Sequence, residues 1–202
     1  MPIPQQPTPY YLKDSLDHVI DNTAANGGPI TESELNKVKV AAQVQAGIDK
    51  YRALAAGKST EDLMAEEHVS SRLGYHLVEA YGARPARCHA HAIVAGKHEL
   101  AARLRFMMAK MKIGIDDAVN GCWLPENTAA TPHPAMPKAP PHSRIHRYNY
   151  YFWINTRLRP ANKPDKFKYV LSQISNMMQY GGMPDYVLLK KGVGIPKGSN
   201  LK

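Results

Sequence analysis

The chain has 202 residues, 44% hydrophobic and 21% charged, which suits a folded domain, or one with an appended segment, and excludes a disordered polymer. No run nears the ~18 apolar residues that a membrane span needs, residues 1–14 lack the basic-then-apolar order of a secretory signal, and two cysteines exclude a disulfide framework and fit a reducing compartment. The net charge of +9 is uneven: −4 over residues 1–83, +8 over 84–160 and +5 over 161–202, a field that draws polyanions, most simply nucleic acid.

Between the opening prolines and Asn26-Gly27-Gly28-Pro29, residues 12–20 read as a short helix. Thr31-Glu32-Ser33-Glu34 is a capping box, in which the hydroxyl takes the third amide and the carboxylate reaches back. Val40, Val44, Ile48, Tyr51 and Ala55 come next at helical spacing and predict a helix over about 32–56, ended by Gly57. Ser59 with Asp62 repeats the start signal, and Leu63, Leu73, Leu77 and Ala80 carry a second helix to about 80. This hairpin shows no chemistry, and packing is its expected role. The stretch after Arg84 reads as a turn into a strand at 92–95, and 97–112 as a helix with Leu100, Leu104 and Met108 on one face. Asn120-Gly121 is a hairpin-turn signal between short extended pieces. The proline-rich stretch 125–141 is a loop. Residues 142–158 read as an aromatic-rich helix and 165–180 as a further one, before a tail, 181–202, rich in Gly and Lys.

Chemistry concentrates in the basic part. Six of the nine histidines lie between 84 and 160: His89, His91, His98, His133, His142 and His146. On a helix, His142 and His146 stack on one face within reach of one cation. Neutral imidazole suits borderline transition metals, and two such ligands plus one more leave positions open for water and phosphate, as in a catalytic metal site. The plain alternative for any His-xxx-His is two surface histidines. Cys88, His89 and Cys122 are a weaker candidate zinc set, with His89 also an alternate ligand. His133 is expected to face water and His98 to start a helix. Tyr151, Phe152 and Trp153 are expected in the core.

The order of these parts is specific. Ala90-His91-Ala92-Ile93-Val94 is followed by Gly114-Ile115-Asp116-Asp117, Asn120-Gly121, Leu124-Pro125 and His142-Ser143-Arg144-Ile145-His146, with Tyr148 two residues on. The chain resembles the AHH nuclease family of the HNH/endonuclease VII superfamily over about 75 of these residues. One departure stands out: Ala92 occupies the place of the family's second histidine. The simplest account is a deliberate His→Ala substitution that disarms a toxic enzyme, the alternative a naturally inactive variant.

The resemblance implies an α+β, mainly helical fold: a ββα-metal (HNH-like) core at 84–202, preceded by an N-terminal helical segment at 1–83 and closed by a C-terminal helix. It implies hydrolysis of phosphodiesters, DNA favoured over RNA, with one divalent ion (Mg, Mn, Ni or Zn) held by His91, His142 and His146. Position 92 would be the place of the general base, although the opposite assignment of the pair stays open. Asn120 would hold the loop that orients the base, or be an ordinary turn residue. Arg144, Arg147 and Arg157 are candidates for phosphate, with a solvated surface the plainer reading of each. Such domains resemble the warheads of secreted bacterial toxins, including type VI secretion effectors. That implies export by a dedicated system without a signal peptide, action in the cytoplasm of a target cell and a cognate immunity protein. A non-catalytic nucleic-acid-binding module and a structural zinc domain are the competing expectations.

Overall fold

The computed structural model describes residues 13–195 and Ser199. The opening prolines, Leu12 of the first expected helix, and residues 196–198 and 200–202 of the final stretch lie outside the described residues. Helix α1 (Ser15–Ala25) starts behind Asp14 and α2 (Glu32–Gly57) behind Thr31, both through complete capping boxes. The second helix of the hairpin is broken in two, α3 (Thr60–Ala65) and α4 (Ser70–Tyr81). The interruption has a tertiary cause: the Val69 amide donates to Asp116 at 3.0 Å, and the His68 ring bonds the same carboxylate. Those bonds outweigh the helical pattern running through the gap.

A two-stranded antiparallel sheet forms the middle, β1 (Cys88–Ala92) pairing with β2 (Gly121–Pro125), with His91 opposite Cys122 and Ala92 opposite Gly121. The strand therefore lies earlier than the expected 92–95. Past Ala92 the ladder ends because the chain is claimed by Asn120: its carbonyl takes the Ile93 amide at 2.7 Å, and its side-chain oxygen the Val94 amide at 2.9 Å. Asn120-Gly121 is not the hairpin turn. The strands are joined by a long excursion through a turn at Glu99–Ala101 and helix α5 (Ala102–Lys110), and Gly121 is extended, with φ −131. Gly121 is required for closeness instead: a Cβ there would lie 2.7 Å from Leu73 of α4.

The stretch 142–158 also departs from one continuous helix. A single 3-10 turn, His142–Arg144, precedes α6 (Tyr148–Leu158). Ile145 inserts into the core, and the extended Arg147 anchors its guanidinium on the Leu188 carbonyl, which fixes the break. Helix α7 (Pro164–Tyr180) starts on its proline. The core lies between α4, the sheet, α6 and α7, with Leu73, Leu77, Leu124, Tyr150, Ile154 and Phe167 fully buried. Tyr151 and Trp153 are buried as expected and Phe152 half-buried. The result is an α+β fold, mainly helical, in which the two paired strands are separated in the chain by α5 and followed by α6. Among the described residues no helix is long and apolar enough to cross a membrane.

Candidate metal and nuclease site

Alternation along β1 sends Cys88, Ala90 and Ala92 to the α4 side and His91 to the α6 side. Gly74 of α4 approaches Ala90 and Trp123 across the first face. On the second, His91 meets His142 and His146. Ring centroids are 5.3 Å apart for His91–His142, 5.1 Å for His91–His146 and 5.5 Å for His142–His146. One ligand atom from each of the three lies within 4.8 Å of the others. The pair thus converges on His91 from a turn and a loop ahead of α6, not from one helix face.

His91 is wholly buried, and its hydrogen bonds fix its tautomer. The Tyr150 hydroxyl donates to the Ile93 carbonyl at 2.8 Å, so toward His91 Nε2, 3.0 Å away, it can only accept. Nε2 therefore carries the proton, and Nδ1 keeps a bare lone pair. That Nδ1 is buried without a hydrogen-bond partner. A buried acceptor without a partner costs about 1–3 kcal/mol, and a cation beside two further imidazoles satisfies it. His146 is also tied at one nitrogen, its Nδ1 lying 3.1 Å from the Tyr151 hydroxyl.

The electrostatics agree. Burial, and then the neighbouring His146 and His142, push the His91 pKa well below the ordinary imidazole value. Burial brings His142 down to about 4 and lowers His146 as well. All three are neutral near pH 7, the form that binds metal. The residues present thus fit a divalent cation.

Asn120 is fully buried and bonds with both ends of its amide, which also donates to Val94 O at 3.1 Å and Ile115 O at 2.8 Å. It stitches the segment after Ala92 to the loop before β2, a loop-holding role. Of the arginines, Arg144 is exposed beside His142, Arg147 is turned to Leu188, and Arg157 lies over the Trp153 ring at 5.7 Å. Arg144 and Arg147 both flank the trio in the chain, but of the two only Arg144 is exposed.

The alternative zinc set does not assemble. Cys88 and Cys122 sit three register pairs apart, about 10 Å along the ladder, and burial raises both thiols, Cys122 to about 12. His89 is half exposed, 4.0 Å from Glu126. His133 is buried rather than water-facing, because its Nε2 bonds the Ala86 carbonyl at 2.8 Å. His98 does start a turn, accepting from the Leu100 amide, and stacks on Tyr151 at 4.1 Å.

Sequence reasoning missed the two acids of the Gly-Ile-Asp-Asp stretch. Asp117 takes Arg52 of α2 at 3.1 and 3.4 Å, and Asp116 takes Val69, His68 and Arg72. Their signal was the acid pair itself, flanked by apolar residues in a basic segment. It also missed Tyr150, which periodicity marks only as core.

Two of the trio, His142 and His146, line a cleft, with His91 buried behind them. One cavity of about 650 Å³ reaches from Arg84 and Trp123 to His89, Ala90 and His142. A second, of about 410 Å³, continues from His142 past Ala92 to His146, His98 and Tyr151. Compared with known proteins, residues 75–176 match the model of a nuclease family of the HNH/endonuclease VII superfamily with conserved AHH. No curated protein matches the chain, and no solved structure does.

Proposed function

The chain belongs to the AHH nuclease family of the HNH/endonuclease VII superfamily, and on that footing we propose that it is a metal-dependent endonuclease that cuts DNA with little sequence specificity. The observation that carries this reading is the buried, unpartnered Nδ1 of His91 in a ring that clusters with two neutral imidazoles. When bound there, a divalent cation supplies Lewis-acid charge against the developing negative charge on phosphate. His91, His142 and His146 hold it, and Tyr150 fixes which nitrogen His91 presents. The cleft through Arg84, His89 and His142 would take a strand, with positive charge from Arg84 in its lining and from the exposed Arg144 two residues from His142.

Hydrolysis also needs a base for the attacking water. By resemblance that base stands at position 92, where this chain has a methyl group. Cleavage by this chain is therefore slow, and Ala92→His raises it. DNA is preferred over RNA on family resemblance alone. That resemblance also supports a toxin role, with delivery into a target cell and a cognate immunity protein. A non-catalytic nucleic-acid-binding module is the second reading, favoured by Ala92 itself.

The test is nicking of supercoiled plasmid and cleavage of RNA, side by side, by the chain and by Ala92→His, with Mg²⁺, Mn²⁺, Ni²⁺ or Zn²⁺ and with chelator. Metal-dependent cutting by Ala92→His, faster on DNA, is the expected result. Retardation of DNA in a gel with no cutting under any of the four ions selects the binding module.

A further inference from the structure

The wall that Ala92 leaves bare is faced by an imidazole from outside the matched family segment. His68, in the break between α3 and α4, lines the same cavity as Ala92, His142 and His146. It lies on the α4 side of the sheet, the side to which Ala92 points. Gly96 leaves it room, since a Cβ at 96 would come within 2.4 Å of the His68 Cβ.

His68 is held as a catalytic imidazole is held. Its Nδ1 is 2.5 Å from Asp116 Oδ1. Asp116 is fully buried and immobilised by the Val69 amide at 3.0 Å and Arg72 Nε at 2.7 Å. Burial alone would raise that carboxyl, but the His68 and Val69 bonds hold it below its usual range, so it stays an anion. An anionic acceptor at Nδ1 keeps the proton there and puts the ring's lone pair on Nε2. The ring keeps 22% of its surface exposed, and Nε2 has the Ser70 hydroxyl 3.4 Å away. A purely structural clamp on Asp116 needs Nδ1 alone. Here the side chain also lines the cavity, and its second nitrogen bonds only to the exposed Ser70 hydroxyl among the described residues, a partner that water can replace.

We propose that the His68–Asp116 pair supplies the general base of this chain in the place of the imidazole missing at position 92. His68 Nε2 takes a proton from the attacking water as the water oxygen bonds phosphorus. The bond from phosphorus to the leaving sugar oxygen breaks with its electron pair, and that oxygen is protonated by solvent. Asp116 remains an anion throughout; it orients the ring and balances the imidazolium. This rests on the nuclease reading above.

The experiment compares the unaltered chain, Ala92→His, His68→Gln, His68→Ala and Gly96→Ala in Mg²⁺-dependent plasmid nicking, with Mn²⁺ affinity and melting temperature measured on each. Gln keeps an amide donor for Asp116, which protects the fold. The unaltered chain nicks more slowly than Ala92→His. His68→Gln loses a further ~10²-fold or more with Mn²⁺ affinity unchanged, and Gly96→Ala, which displaces His68, shares the loss. His68→Ala regains nicking on addition of free imidazole, which a structural role would not allow.

Nicking by His68→Gln at the unaltered rate overturns the proposal. So does an unaltered chain that never nicks while Ala92→His does, an outcome that leaves the nuclease reading standing. If no variant cuts with any divalent ion, both fail together. If His68→Gln does not fold, Gly96→Ala and the imidazole rescue decide.

Discussion

Tyr150→Phe deletes one oxygen and with it both hydrogen bonds that the hydroxyl makes. That oxygen bridges His91 Nε2 and the Ile93 carbonyl in a site with no exposed surface. Without it a buried N–H and a buried C=O lose their partners, at about 1–3 kcal/mol each. His91 can relieve its share only by moving the proton to Nδ1, the nitrogen left for a cation. A cation must then displace that proton. Metal affinity should fall about 10–100-fold, or roughly 1.4–2.8 kcal/mol, while the donor set itself stays complete. Calorimetric titration of metal-free chain and variant with Mn²⁺ and Zn²⁺ at pH 7.5 measures this. Tyr151→Phe is the internal comparison: its hydroxyl meets Nδ1 of the exposed His146, where water can replace it, so the loss should be smaller. An affinity within twofold of the unaltered chain, with stability lowered all the same, would mean that Tyr150 only fills the core and that His91 does not bind through Nδ1.

Three further outcomes are expected. His142→Ala should remove most metal binding in the same titration while leaving the fold intact, since this half-buried ring is no part of the core; retained affinity would transfer the site elsewhere. Asn120→Ala strips partners from the Val94 amide and from the Val94 and Ile115 carbonyls; about 3 kcal/mol of lost stability, and so a melting temperature lower by roughly 6–12 °C, is expected by calorimetry. Finally, burial lowers the pKa values of His91, His142 and His146, His142 to about 4, so the unfolded chain binds more protons than the folded one below ~6.5. Stability of the metal-free chain should be full above that pH and decline as pH falls toward 5. Buried carboxylates such as Asp116 contribute only below about pH 4, so urea midpoints that stay flat between pH 7.5 and 5 would contradict this.

The features legible in the sequence and those that were not divide along the range of the interactions. Caps are local, and Thr31 with Glu34 and Ser59 with Asp62 mark their helices in four residues each. His142 and His146 were singled out by their spacing and His91 by the family resemblance, and the fold brings the three together, although not on the helical face that the spacing suggested. Ile145 and Arg147 reshape that stretch through partners far along the chain, and no window of sequence contains them. Gly121 shows the same limit: Asn-Gly is a turn signal by conformational preference, yet here the missing side chain serves the approach of Leu73. His68 is the sharpest case. In sequence it is one imidazole between two helices, separated from Asp116 by 48 residues, and nothing nearby distinguishes it from a surface histidine. Its meaning comes from the fold, which sets a buried carboxylate behind it and the methyl of Ala92 across the same cavity. A position that looks only like a loss in the strand therefore has to be judged with the hairpin that covers it.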